Sequence, residues 1–190
     1  MLRTISSLLL LTLWAACATE PTSSAFVDIM NDRQIDPLSA PENGAAVLIF
    51  ISTDCPIANG YSPQLKELVK AWQGRPVQVT LVHVDPELTP SAARKHAQEY
   101  GHECPIVIDR SHRLVARSGA TITPEAVVFA ADGRLQYRGR INNWYGDIGR
   151  KRLQPSKHEL RDAVDAVLAK KAVAVARTEA VGCSIEPLDK

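Results

Sequence analysis

Residues 47–69 read VLIFISTDCPIANGYSPQLKELV. An apolar run ends, one cysteine follows, and a helical pattern begins. The run extends back to Ala45 as AAVLIFI. Its length, continuity and Val/Ile/Phe content predict a strand buried on both faces. Ser62-Pro63 reads as a helix start, with proline tolerated in the first turn. Leu65, Leu68, Val69 and Trp72 then share one helical face, and Gly74 ends the pattern. Cys55 stands between strand and helix. Core filler, half of a disulfide, a metal ligand and a nucleophile are the four roles open to it.

Outward from this unit, strands and helices alternate. VQVTLVHV (77–84) predicts a second buried strand, and Thr89-Pro90 opens a helix to Tyr100, stopped by Gly101. CPIVI (104–108) predicts a third strand, and residues 114–118 a short helix before Gly119. EAVVFA (125–130) and LQYRGRI (135–141) flank Asp132-Gly133, a hairpin turn signal. Ser156 is expected to cap a last helix running to residue 171. Near the start, residues 25–29 suggest one more short strand. Strand–helix alternation predicts parallel pairs with right-handed crossovers, and the hairpin adds an antiparallel edge. The fold class is therefore α/β.

The chain has 190 residues, 45% hydrophobic and 23% charged, with a formal net charge of +1. That length favours a single domain with tails, and the charge balance argues against electrostatic nucleic-acid binding. Arg3 followed by the mostly apolar residues 5–18 predicts a secretory signal, too short to span a bilayer comfortably. Ala16-Cys17-Ala18 fits cleavage after residue 18. In a second reading Cys17 is a lipidated first residue that tethers the chain to a membrane. Residues 19–43, with Pro21, Pro37 and Pro41, read as a polar tether, 44–171 as the domain, and 172–190 as a tail carrying Cys183. The expected location is secreted or periplasmic, an oxidising setting. Cys55, Cys104 and Cys183 remain after processing, so at least one thiol lacks a partner within the chain.

The element order, with Cys55 after the first central strand and Thr123-Pro124 before the hairpin, resembles the thioredoxin fold and its redoxin branch. That branch includes exported thioredoxin-like oxidoreductases and the alkyl hydroperoxide reductase family. The resemblance covers residues 45–170. Asp54-Cys55-Pro56-Ile57-Ala58-Asn59, Tyr137-Arg138-Gly139-Arg140-Ile141 and Val181-Gly182-Cys183 are similar to elements of exported redoxin-domain proteins. The resemblance implies a three-layer α/β/α sandwich around a mixed sheet, with a cis bond at Thr123-Pro124 beside the active cysteine. The departures are specific. Thioredoxins carry C-x-x-C at this turn; here the second cysteine is replaced by Ala58. Peroxiredoxins carry their cysteine at that second position, and their activating arginine is missing before the hairpin.

Cys55 is expected near a helix N-terminus, where free amides and the helix dipole favour a thiolate, the nucleophile of disulfide exchange. Asp54 beside it opposes a second negative charge. Cys183 lies in a tail without a core pattern and would replace the absent partner of C-x-x-C, with Gly182 permitting the turn. Cys104 reads as structural, and a Cys55–Cys104 disulfide is the competing pairing. Together these predict a thiol–disulfide oxidoreductase acting on protein or small-molecule disulfides, with Cys55 and Cys183 catalytic. Thr123, Pro124, Pro56 and Asn59 would bind substrate.

Two alternatives remain open: peroxide reduction through a sulfenic acid at Cys55, and copper delivery. The copper-delivery branch uses C-x-x-x-C plus a histidine, but Asn59 stands at the second cysteine's place. The five histidines (His83, His96, His102, His112 and His158) show no paired spacing, and each reads as solvated or at the core edge. In the copper reading Cys55, Cys183 and a histidine would hold the soft ion; in the oxidoreductase reading no metal or cofactor is expected. Tyr61 and Asn59 flank the turn. Glu125 is either a proton relay or an exposed strand start. Arg138 and Arg140 read as a solvated edge or as a strand face that steers anionic substrates, and residues 142–146 as an aromatic loop bordering the site. The oligomeric state is not encoded legibly.

Overall fold

A computed structural model describes residues 25–188 of the protein. The expected signal segment and Cys17 lie outside the described residues. The elements run β1 (Phe26–Asp28), β2 (Arg33–Ile35), β3 (Ala45–Ile51), α1 (Pro56–Trp72), β4 (Val77–His83), α2 (Pro90–Tyr100), β5 (Ile106–Ile108) and α3 (Arg113–Ser118). They continue with β6 (Ile122–Thr123), β7 (Glu125–Ala130), β8 (Leu135–Gly139), β9 (Tyr145–Asp147), β10 (Arg150–Lys151), α4 (Glu159–Leu168) and β11 (Cys183–Ser184).

The central sheet has the order β5-β4-β3-β7-β8. β3 is parallel to β4 and β4 to β5, whereas β7 is antiparallel to both β3 and β8. The seven residues of β3 are all buried, as a middle strand covered on both faces requires. Each large apolar side chain so buried contributes about 1.5–3 kcal/mol. Val47, Ile49 and Ile51 pack with Leu65 of α1, Ala93 of α2 and Leu160 of α4. Leu48 and Phe50 point the other way, toward Leu114 of α3 and the β1–β2 hairpin residues Phe26 and Ile35. This is the thioredoxin-like arrangement of helices around a mixed sheet. No helix among the described residues is long and apolar enough to cross a membrane.

Two helix starts differ from the sequence expectation. Helix α1 begins at Pro56, not at Ser62-Pro63, and Pro63 lies inside it on the exposed side. Pro56 supplies the pre-set first turn, so the second proline costs one internal hydrogen bond on the solvent face. Helix α4 begins at Glu159 with His158 as its cap residue. Ser156 instead accepts a 2.9 Å hydrogen bond from the Asn143 side chain.

Residues 172–188 do not hang free. The Arg138 amide donates to Ala176 O (3.0 Å), and the Thr178 amide returns a bond to Arg138 O (3.1 Å). The tail thus extends the edge of β8. Further on, β11 pairs antiparallel with β6, setting Cys183 opposite Thr123 and Ser184 opposite Ile122.

Candidate active site at Cys55

Strand β3 delivers the chain to residue 52, and the turn that follows makes Cys55 the N-cap of α1. Cap side chains accept from the first free helix amides, and here the acceptor is sulfur: Ala58 N donates to Cys55 Sγ at 3.4 Å. The thiol in turn donates to Thr123 O at 2.9 Å. The Thr123-Pro124 bond is cis, as the resemblance implied, and the proline loop lies against the sulfur.

Cys55 is buried, only 1% exposed, so it is not the open thiol that a strand-end position suggests. Burial acts to raise its pKa. Hydrogen bonds from the Cys183 side chain, the Ala58 amide, the Thr123 side chain and the Cys183 backbone outweigh that, and the net shift is downward. The Cys183 thiol is pushed up to about 11, by burial and then by its hydrogen bond to Cys55 and the charge there. The pair is asymmetric: the Cys55 pKa is shifted down and the Cys183 pKa up. Both are free thiols, as is Cys104. Cys104 is buried apart from this pair, its pKa raised to about 12 by burial.

The proline loop is braced from behind. Glu125 is buried, and its Oε2 accepts from the Thr121 amide at 2.7 Å and the Ile122 amide at 3.3 Å. Its other oxygen lies 3.5 Å from Arg138 Nε, and Arg138 also donates to Gly119 O. The exposed strand start and the solvated arginine edge expected from sequence are thus both corrected. The tail covers the edge of β8, and Glu125 and Arg140's partner Glu159 neutralise the two arginines there.

Asn59 is turned inward. Its amide nitrogen donates to Thr53 O (2.8 Å), and its oxygen meets His96 Nε2 (2.9 Å). Both polar ends therefore hold the Cys55 turn in place. Tyr61 bonds Asn142 through its hydroxyl and packs on Trp144 and Tyr145, ring centroids 5.5 and 5.3 Å away. The aromatic loop does border the start of α1.

Sequence spacing missed a histidine cluster. His83, His96 and His102 come from the end of β4, from α2 and from the loop after α2, and their rings meet at 5.1 Å (His83–His96) and 5.8 Å (His96–His102). All three are buried. Burial, then the neighbouring His96 and His102 charges, lowers His83 to about 3. Burial, then His96, lowers His102 to about 4. Burial also lowers His96, against the opposing charges of Glu99 and Asp54. The available signal was the spacing Ala93, His96, Ala97, Tyr100, which places His96 on the buried face of its helix. Among the described residues, no three His, Cys, Asp or Glu side chains are arranged to hold a metal ion.

The fold has solved relatives. A conserved protein of Geobacillus kaustophilus is 22% identical with a TM-score of 0.74, over 87% of this chain and 89% of that one. A hypothetical protein of Sinorhizobium meliloti 1021 is 24% identical with a TM-score of 0.69, over 85% and 88%. A secreted disulfide oxidoreductase of Mycobacterium tuberculosis, described as homologous to E. coli DsbE, is 18% identical with a TM-score of 0.51, over 77% and 94%. Among curated proteins no match is found. Residues 30–138 match the family model that joins the Cys55 turn to the proline loop and the hairpin, and the chain belongs to the AhpC/TSA family.

Proposed function

We propose that the protein is an exported thiol–disulfide oxidoreductase in which Cys55 is the nucleophile and Cys183 the resolving thiol. The observation that carries this reading is the register of β11 on β6, which sets Cys183 opposite Thr123, the residue whose carbonyl accepts the Cys55 thiol; beside it, the Cys55 pKa is lowered and the Cys183 pKa raised. Cys183 fills the role of the second cysteine missing from the turn. The secreted Mycobacterium tuberculosis disulfide oxidoreductase and a putative thiol:disulfide interchange protein of Chlorobium tepidum share the fold, which supports the chemistry and the exported setting. The signal segment at 1–18 and the alternative lipid anchor at Cys17 belong to this proposal; of the tether expected at 19–43, the β1–β2 hairpin and the residues after it pack on the domain through Phe26, Ile29, Ile35, Leu38 and Ala40.

The Cys55 thiolate attacks one sulfur of a substrate disulfide. A Cys55–substrate bond forms, and the other substrate sulfur leaves as a thiolate that takes up a proton. Cys183 loses its proton as it attacks Cys55 Sγ, expelling the second substrate thiol. The substrate gains two electrons, and the protein holds a Cys55–Cys183 disulfide until an external dithiol reduces it. Thr123, Pro124 and Pro56 contact the incoming segment, while Asn59 holds the turn.

The test is reduction of insulin disulfides by the protein with a dithiol supply. Cys55→Ser is expected to abolish it, and Cys183→Ser to stall the reaction at a mixed disulfide visible by mass. Activity unchanged by Cys55→Ser would refute the assignment. Rapid peroxide consumption with no disulfide reduction would transfer the same thiolate to a peroxidase role.

A further inference from the structure

The tail pairs with β6 beside the proline loop, and it does so under a tight steric condition. Gly182 lies on the carbonyl of Thr123. A Cβ at that position would overlap the carbonyl oxygen, stand 2.7 Å from its carbon and reach 3.0 Å from Ile122 Cγ2. The φ of Gly182 is not in the left-handed region, so glycine is required there by close approach alone. Thr123 O cannot retreat, because the Cys55 thiol bonds it at 2.9 Å and β11 pairs with the same residue.

The flanking residues add to the pattern. Val181 and Cys183 pack against the apolar cluster that contains α1, and Ile185 against the cluster on the other face of the sheet. Ser184 is exposed. The Ile185 amide donates to Thr121 O at 2.9 Å, which fixes the register.

Resting on the oxidoreductase reading of Cys55, we propose that this edge selects a disulfide-bonded cysteine in an extended segment of the pattern apolar–Gly–Cys–any–apolar, and that residues 181–185 are its internal stand-in. Any segment presenting its cysteine to Cys55 in this register lays the preceding residue on Thr123 O. A side chain there pushes the strand off the edge. The groove therefore reads the residue before the cysteine, and the protein's own tail competes for it.

The experiment uses the full chain carrying Cys183→Ser and two peptides, AVGCSIE and AVACSIE, each joined through its cysteine to an aryl thiol. Cys55 thiolate attacks the peptide sulfur, a Cys55–peptide disulfide forms, and the aryl thiolate leaves with the electron pair and is read by its colour. Mass identifies which group stays on Cys55. The glycine peptide is expected to react about tenfold or more faster than the alanine peptide. Replacing the flanking Val and Ile of the peptide by Ser should also slow it. A second measurement follows closure of the Cys55–Cys183 disulfide in the otherwise intact chain, where Gly182→Ala should slow ring formation by a similar factor. Equal peptide rates overturn the selectivity and leave the chemistry of Cys55 standing. So does reaction with a small aryl disulfide but with neither peptide. Failure to react with any disulfide overturns both readings.

Discussion

Cys183 lies opposite Thr123 in the β11–β6 pair, and the carbonyl of that same Thr123 accepts the Cys55 thiol. One residue thus positions both sulfurs. The tail can approach Cys55 only in the register Thr123 allows, and Thr123 is itself held by the loop that Glu125 braces.

The thiol pair makes a prediction about ionisation. The neighbouring Cys183 side chain helps keep the Cys55 pKa below the ordinary thiol value. Cys183→Ala should raise the Cys55 pKa, whereas Cys183→Ser, which keeps a donor, should raise it less. The pH dependence of iodoacetamide alkylation at Cys55, followed by peptide mass, measures both. An unchanged midpoint in Cys183→Ala would remove Cys183 from the site.

Glu125→Ala should be strongly destabilising. It leaves a mostly buried Arg138 without its carboxylate and two loop amides without an acceptor. Breaking one side of such a pair costs about 3–5 kcal/mol, measurable by urea unfolding. Glu125→Gln keeps one oxygen for the amides and should lose less.

Acid should weaken the fold through the histidines. His83 and His102 have folded values of about 3 and about 4, below the ordinary 6.5, so the unfolded chain binds more protons below pH 6.5. Their stabilising contribution is complete above that pH and is lost as pH falls toward the folded values. Each histidine adds a slope of about 1.4 kcal/mol per pH unit between pH 6 and 4. His83→Leu should remove one such increment from the pH dependence of urea unfolding. An unaltered slope would show that His83 protonates in the folded state.

Gly139→Ala should loosen the tail. Gly139 has φ 152°, and a Cβ there would overlap the Thr178 hydroxyl and stand 2.5 Å from its carbonyl oxygen. That hydroxyl also receives the Arg140 amide (3.0 Å) and meets the Tyr137 hydroxyl at 2.7 Å. Hydrogen exchange at residues 176–185 should speed up by about tenfold or more, the effect of losing one or two hydrogen bonds. The central sheet should remain protected.

Much of the fold was legible because it depends on local pattern. The apolar run of β3, the Thr89 cap and Gly101 stop of α2, and the Asp132-Gly133 turn each carry their own signal. The same holds for the place of Cys55, which follows from a strand ending where a helix begins. Contacts made across the chain carry no such signal. Glu125 and Arg138 are charged residues at alternating strand positions, and only the folded tail that covers their edge makes them a buried pair. The three histidines are separated by 13 and 6 positions in sequence, and three different elements gather them. The α1 start was misplaced because two prolines, Pro56 and Pro63, offered competing first turns.

Cys104 gives the molecule a built-in gauge of its own integrity. Cys104 is 7% exposed and burial pushes its thiol pKa up to about 12, so a maleimide added to intact protein at neutral pH should spare it. Labelling at that position then counts molecules that have come apart. The modification ratio between Cys104 and Cys55 would report damage and redox state in a single mass spectrum.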